Sequence, residues 1–243
     1  MDKFDRVRLL IGAESLNVLK NASVAVFGIG GVGGFAVEAL VRSGIGSITI
    51  VDSDVVAETN LNRQIIATLD AVGKDKVEVM KERLLSINPD VKVNAKKLFV
   101  LPENVDTLDF EDYDYIIDAV DTVSAKLAII ERASLEGVPI ISCMGTGGKL
   151  DATKLKVADV YKTTGCPLAR VMRRELKKRG VQKLKTVYSE ELSTLNETEL
   201  SVAEEKSNGR IAPASMIFVP ASAGLLLARE AVFDIIKLKG KKQ

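Results

Sequence analysis

The sequence has no histidine and no tryptophan, and its only cysteines in 243 residues are Cys143 and Cys166. The missing histidine excludes imidazole metal ligands and an imidazole general base. The cysteines lie 23 positions apart and form no C-x-x-C pair, so a zinc ribbon or dithiol motif has no support. Two thiols in so long a chain fit a reducing, cytoplasmic setting better than a disulfide scaffold. The first eight residues are charged and lack an apolar h-region, so no signal peptide is expected. The most apolar late run, Met216 to Ala228, is about 13 residues, short of the ~20 that span a bilayer. Neither sign of charge dominates: 34 basic and 33 acidic residues leave a net charge of +1, so any nucleic-acid surface must be a local patch. With 47% hydrophobic residues the chain is globular, and its length allows one large α/β domain or two small ones.

What is present starts with Ser23 to Asp54. The apolar run Val24 to Phe27 stops at Gly28, and Gly28, Gly30 and Gly33 read G-x-G-x-x-G. Helical spacing follows from Phe35 to Arg42, then a second apolar run, Ile48 to Val51, ending at Asp52. Strand, glycine turn, helix, strand and acid form a nucleotide-binding unit. The glycines allow a tight turn, a close approach of backbone to phosphate and close helix-to-strand packing. The helix N-terminus offers unpaired N–H groups to phosphate, and Asp52 is placed to accept from ribose hydroxyls.

Around this unit the pattern predicts an amphipathic lead-in helix over Phe4–Lys20. Its apolar face would carry Leu9, Leu10, Leu16, Val18 and Leu19, with Arg8 solvated. Ser53–Arg63 reads as a polar loop over the ligand. Helices are expected at Gly73–Ile87, Ser124–Glu136, Cys166–Gly180 and Ser222–Lys237, and a helical turn at Asn104–Leu108. Strands are expected at Val91–Ala95, Asp114–Val120, Pro139–Met144 and Leu155–Asp159. Glu190–Arg210 reads as a long surface loop and Ile211–Pro220 as a buried strand or turn. The fold class is therefore α/β, a Rossmann-like doubly wound, mostly parallel sheet. Its C-terminal extension holds a basic helix, a surface loop and a final helix.

The charges beyond Asp52 bear on the ligand. Arg63 and Lys76 place two fixed cations past the ribose acid, which suits a triphosphate better than a dinucleotide. Lys76 also stands in the first turn of its helix, where the dipole disfavours a cation unless an anion is near. Asp118 and Asp121 close an apolar strand, where such sheets place their sites. An acid there can hold Mg²⁺ against phosphates, while Asp121 can equally cap the next helix.

Taken together, Arg6 in F-D-R, G-I-G-G-V-G, Asp52-Ser53-Asp54, T-N-L-N-R-Q at Thr59–Gln64, Lys76 after G-K-D, and D-A-V-D at Asp118–Asp121 resemble one family. It is that of adenylating enzymes, which includes the ubiquitin-activating enzymes and the activators of the sulfur carriers of molybdopterin and thiamin synthesis. The resemblance covers roughly the first 150 residues. It implies ATP on the glycine turn (Gly28, Gly30, Gly31, Gly33) and on Asp52 and Asp54. It implies phosphates on Asn60, Arg63, Gln64 and Lys76, Mg²⁺ on Asp121, and Arg6 reaching into the partner's site of a homodimer. The chemistry it implies is attack of a carboxylate on the α-phosphorus, giving an acyl-adenylate and pyrophosphate, with Arg6, Arg63, Lys76 and Asp121 as catalytic residues.

The second half separates the branches. Zinc pairs of the sulfur-carrier activators are absent: Cys166 falls near the first pair, with Ala169 at its partner position. The stretch from Tyr161 to Gly180 and G-K-L-D at Gly148–Asp151 resemble the branch of tRNA threonylcarbamoyladenosine dehydratases. That branch activates the threonyl carboxylate of the modified adenosine beside a tRNA anticodon, and ring closure then releases AMP. On this resemblance the chain is one adenylating domain, residues 1–150 binding nucleotide and 151–243 binding substrate tRNA and forming the dimer. Between Arg170 and Lys185 there are eight basic residues and one acidic one. Arg170, Arg173, Arg174, Lys177, Lys178 and Arg179 are the candidate tRNA contacts, although a solvated helix face would look the same. Cys166 reads as structural, since a cyclisation needs no enzyme nucleophile, and Cys143 as core. The Gly145–Gly148 turn would line the ATP site or bind a monovalent cation through carbonyls. Two other readings stay open: activation of a ubiquitin-like carrier's C-terminus, and a non-catalytic nucleotide module that docks a sulfur-transfer protein.

Overall fold

Val24 and Val26 face one side of the strand Ser23–Phe27 (β1), Ala25 and Phe27 face the other, and all four are fully buried. A strand apolar on both faces needs helices on both, which is the condition for a parallel sheet. In a computed structural model of the protein, which describes residues 2–193 and 214–239, β1 lies in a seven-stranded sheet. The other strands are Ser47–Asp52 (β2), Lys92–Lys97 (β3), Tyr115–Asp118 (β4), Ile140–Cys143 (β5), Leu155–Asp159 (β6) and Lys185–Ser189 (β7). Their order is β3-β2-β1-β4-β5-β7-β6, parallel except for β6, which runs antiparallel to β7. The order reverses between β1 and β4, and the carboxyl ends of those strands open a crevice.

Helices Gly33–Arg42 (α3), Lys76–Ile87 (α4) and Phe218–Lys239 (α7) cover one face through Leu40, Val41, Met80, Leu84 and Leu227. Val123–Leu135 (α5) covers the other through Ala125 and Ile129, and Pro167–Lys178 (α6) packs outside α5 through Met172 and Leu176. Helix α7 starts four residues before the expected Ser222, with Pro220 in its first turn, where its missing N–H costs no helical bond. Asp234 of α7 accepts from Tyr115 Oη at 2.7 Å and from Lys185 Nζ at 2.6 Å, tying the helix to β4 and β7.

The lead-in differs from a single helix. Gly12, at φ +85°, breaks it into Asp5–Ile11 (α1) and Ala13–Lys20 (α2). The break turns Leu9 and Leu10 outward, so only Leu16, Val18 and Leu19 of the expected apolar face are buried. Arg8 is not merely solvated but pairs with Asp5 at 2.8 Å. Strand β7 was not expected, because Lys185–Ser189 is short and follows a basic run, although Thr186, Val187 and Tyr188 favour a strand and pair it with β5 and β6. The loop expected at Glu190–Arg210 and the segment Ile211–Pro220 lie outside the described residues, apart from 190–193 and 214–220.

Helices α3 and α7 cross where α7 carries Gly224. A Cβ there would stand 2.3 Å from the Val32 carbonyl oxygen and 3.0 Å from the Phe35 Cβ. Gly224→Ala is therefore expected to push the helices apart and destabilise the fold by about 1–3 kcal/mol. Urea unfolding reads the change, and an unaltered midpoint would contradict this packing.

Candidate functional site

The glycine turn is built for closeness at Gly28 and Gly33 and leaves room at Gly30. Gly28, at φ +86°, has the Ala119 carbonyl oxygen 2.7 Å from where a Cβ would be, and Gly33 would place one 1.8 Å from the Gly28 oxygen. These two glycines pack β1, the β4–α5 turn and α3 together. Gly33 does not line the cleft, whereas Gly28, Gly30 and Gly31 do. Helix α3 has no side-chain cap, and among the described residues no backbone group accepts from the N–H groups of Gly30, Gly31 and Val32. Val32 is the N-cap of α3, and Gly30 and Gly31 lie in the turn just before it, so these unpaired donors open at the start of the helix.

Asp52 ends β2 and joins the turn to the following loop. Its Oδ2 accepts from Ile29 N at 2.6 Å and its Oδ1 from Asp54 N at 2.9 Å. The polar loop carries a single 3₁₀ turn, Glu58–Asn60, and Asn60 Oδ1 accepts from Ala57 N at 3.1 Å. Arg63 lays its stem over Gly31 and donates to the Thr59 carbonyl and Asn62 Oδ1, both at 2.8 Å. Gln64 is buried, and its Oε1 has no partner among the described residues. Lys76, the first residue of α4, is buried too, and its Nζ meets Asp54 Oδ2 at 2.8 Å. The cation at that helix start thus has a protein anion beside it.

Asp52, Asp54, Asn60, Arg63, Gln64, Lys76 and Asp121 converge, with Gly28, Gly30 and Gly31, on one cleft of about 680 Å³ at the carboxyl ends of β1, β2 and β4. Asp121 is exposed there, and its only hydrogen bond among the described residues is from Thr122 Oγ1 at 3.3 Å. It does not cap α5, whose N-cap is Thr122. Asp118 is not available to a metal. It is fully buried, its Oδ2 accepting from Lys126 Nζ at 2.9 Å and Ser142 Oγ at 2.5 Å, its Oδ1 from Val120 N at 3.2 Å. Leu98, Phe99 and Val100, just past β3, also wall the cleft. Sequence reasoning missed them, although an apolar triplet directly after a basic strand was the signal. Of the Gly145–Gly148 turn, Gly145, Thr146 and Gly147 form part of the wall and Gly148 does not. Arg6 is exposed on α1 and lies outside this cleft.

The six candidate tRNA cations do not act alike. Arg173 donates to the Thr163 carbonyl at 2.9 Å and to its hydroxyl, and is half-buried. Arg174, Lys178 and Arg179 all bond Glu175, and Arg179 also meets Glu131 at 3.5 Å. Lys178 and Arg174 hold the Glu175 carboxyl well below the usual range, at about 2. Arg170 and Lys177 are exposed, with no ion pair among the described residues. Leu168, one turn before Val171, touches the cleft, so α6 leads away from its mouth.

The profile of the ThiF family matches residues 4–238. A Bacillus subtilis protein named tRNA threonylcarbamoyladenosine dehydratase is 41% identical over 245 residues, covering 98% of this chain and 96% of that protein. The Escherichia coli protein of the same name is 43% identical over 175 residues, 72% of this chain and 65% of the relative. Among solved structures, E. coli tRNA N6-threonylcarbamoyladenosine dehydratase, TcdA, in complex with ATP gives a TM-score of 0.88 at 34% identity, covering 99% of this chain and 96% of that one. The same enzyme in complex with AMP gives the same TM-score.

Cys143 borders the cleft but is only 4% exposed, and Cys166 is 5% exposed. Both cysteines are free and buried, and burial pushes the Cys143 thiol up to about 12. At pH 8 native protein is expected to leave Cys143 untouched by a disulfide reagent, with modification only after unfolding. Rapid labelling of Cys143 in the folded state, located by mass spectrometry, would contradict this.

Proposed function

The chain belongs to the ThiF family, and on that premise we propose that it is an ATP-dependent tRNA threonylcarbamoyladenosine dehydratase. It adenylates the threonyl carboxylate of the modified adenosine beside the anticodon, then closes the ring with loss of AMP. One observation carries the reading: orphan main-chain donors, two fixed cations and an uncommitted carboxylate surround a single cleft at the topological switch point. A full-length relative bearing that activity's name, and neighbours solved with ATP and with AMP, support it.

In this reading the N–H groups of Gly30, Gly31 and Val32 receive phosphate oxygens at the positive end of α3. The bonds of Asp52 to Ile29 N and Asp54 N hold the turn while its remaining lone pairs face ribose hydroxyls. Arg63 and Lys76 bind the phosphates and stabilise charge as the carboxylate oxygen reaches the α-phosphorus and pyrophosphate departs. Asn60 shapes the loop, and Gln64 Oε1, which has no partner among the described residues, is an acceptor ready for a ligand hydroxyl or amine. Asp121 fits Mg²⁺, because one exposed carboxylate together with phosphate oxygens and water is the usual way that ion is held. When bound, the ion offsets phosphate charge.

Arg6 is assigned to the partner's cleft in a homodimer, as its exposure away from this chain's own cleft allows. Residues 1–150 would bind nucleotide, and 151–243 would receive tRNA and form the dimer. Arg170, Arg174, Lys177 and Lys178 stand at i, i+4, i+7 and i+8, one exposed face of α6, and form the phosphate-binding row. Arg173 and Arg179 instead fix α6 to the Thr163 turn and to α5. No helix among the described residues is long and apolar enough to cross a membrane, and the substrate places the work in the cytoplasm.

Pyrophosphate exchange into ATP tests the reading, with modified tRNA or a ubiquitin-like carrier protein as the carboxylate. Exchange dependent on tRNA is expected; exchange stimulated by carrier alone would overturn the proposal. Asp121→Ala should lower exchange by about 10²–10³-fold with an unchanged unfolding midpoint, and full activity would remove Asp121 from the metal site. Replacing Arg170 and Lys177 by alanine should weaken tRNA binding and reduce its salt slope by about 1 per residue. An unchanged slope would place the tRNA elsewhere.

A further inference from the structure

Under the floor of the cleft lies a charged cluster with no assigned role. Asp118 at the end of β4, Lys126 in α5 and Ser142 in β5 are each fully buried. Lys126 Nζ and Ser142 Oγ donate to Asp118 Oδ2, at 2.9 and 2.5 Å, and Val120 N donates to Oδ1 at 3.2 Å. The residues on either side of the cluster face the cleft: Ala119, Val120, Asp121 and Thr122 after Asp118, Ala125 before Lys126, and Cys143 after Ser142. A buried ion pair is poor value as a source of stability, since well-packed apolar residues of similar size often do as well or better. What it does supply is geometry. A carboxylate with three donors in fixed directions locks the ends of β4 and β5 to the second turn of α5, and the turn between them carries Asp121.

We propose that Lys126, through Asp118, is a positioning residue for Asp121. It sets where the Asp121 carboxylate stands relative to the phosphates without touching them. The inference rests on the reading of Asp121 as the Mg²⁺ holder.

The test uses the full chain and replaces the pair with apolar residues of similar size, Asp118→Leu with Lys126→Met, so that no unpaired charge is left behind. The unfolding midpoint is expected to hold or rise. ATP–pyrophosphate exchange with modified tRNA is expected to fall by up to about a hundredfold in kcat, the cost of a misplaced group, with KM for ATP changing far less. Independently of turnover, the Mg²⁺ concentration needed for half-maximal binding of a fluorescent ATP analogue should rise. Ser142→Ala, which removes one donor and spares the ion pair, carries the test if the double variant fails to fold. It should give roughly a fivefold loss, the size of one net hydrogen bond, with the same direction of Mg²⁺ shift. Lys126→Arg, which keeps charge and donors, should leave the Mg²⁺ requirement closer to wild type than the double variant does. A folded double variant, or Ser142→Ala, with wild-type Mg²⁺ dependence and kcat would overturn the inference. Asp121→Ala run alongside separates the two claims. If it leaves the Mg²⁺ dependence unmoved, the metal reading fails; if it shifts that dependence while the cluster variants do not, the positioning role alone fails.

Discussion

The Gly28 carbonyl occupies the space where a side chain on residue 33 would be, 1.8 Å from the ideal Cβ position. That contact sets everything else at this end of the sheet. It lets α3 start directly against β1, and among the described residues the N–H groups of Gly30, Gly31 and Val32 just ahead of that start stay unpaired at the crevice. A second close contact, the Ala119 carbonyl against Gly28, holds the β4–α5 turn that carries Asp121 on the far side of the same crevice. A helix start aimed at a switch point is an anion site before any side chain is added.

Side chains then convert a general anion site into one suited to a triphosphate. Lys76 is held in a buried position by Asp54, and Arg63 is held over Gly31 by the loop carbonyl at Thr59. Both cations are thus restrained before a ligand arrives, and such preorganisation is what makes electrostatic stabilisation effective. The two acids of D-A-V-D divide the work by environment. Asp118 is buried and saturated with donors, whereas Asp121 is exposed and uncommitted.

Local patterns in the chain carried much of this. The run from Val24 to Asp52 declares strand, turn, helix, strand and acid, and the structure has them in that order. Leu155–Asp159 is a strand with the expected bounds. What was not legible depends on contacts distant in sequence. Thr186, Val187 and Tyr188 favour a strand locally, but so short a run after a basic segment is decided by its pairing with β5 and β6. Asp118 looked like a second metal acid because its buried partners Lys126 and Ser142 come from two other elements. The basic run looked uniform, yet Thr163, Glu175 and Glu131 engage four of its six candidate cations. Gly12 was the one local signal that outweighed periodicity, splitting a helix whose leucines suggested continuity.

The central claim is that the crevice holds a nucleoside triphosphate with its phosphates on the main chain of Gly30–Val32. Its most direct measurement is a crystal structure of the protein grown with a non-hydrolysable ATP analogue and Mg²⁺, beside a parallel soak with NADH. The account predicts phosphate density at those amides, Arg63 and Lys76 turned onto it, the metal beside Asp121, and no density from the NADH soak. NADH seated in the crevice, with Arg63 and Lys76 directed to bulk water, would contradict it.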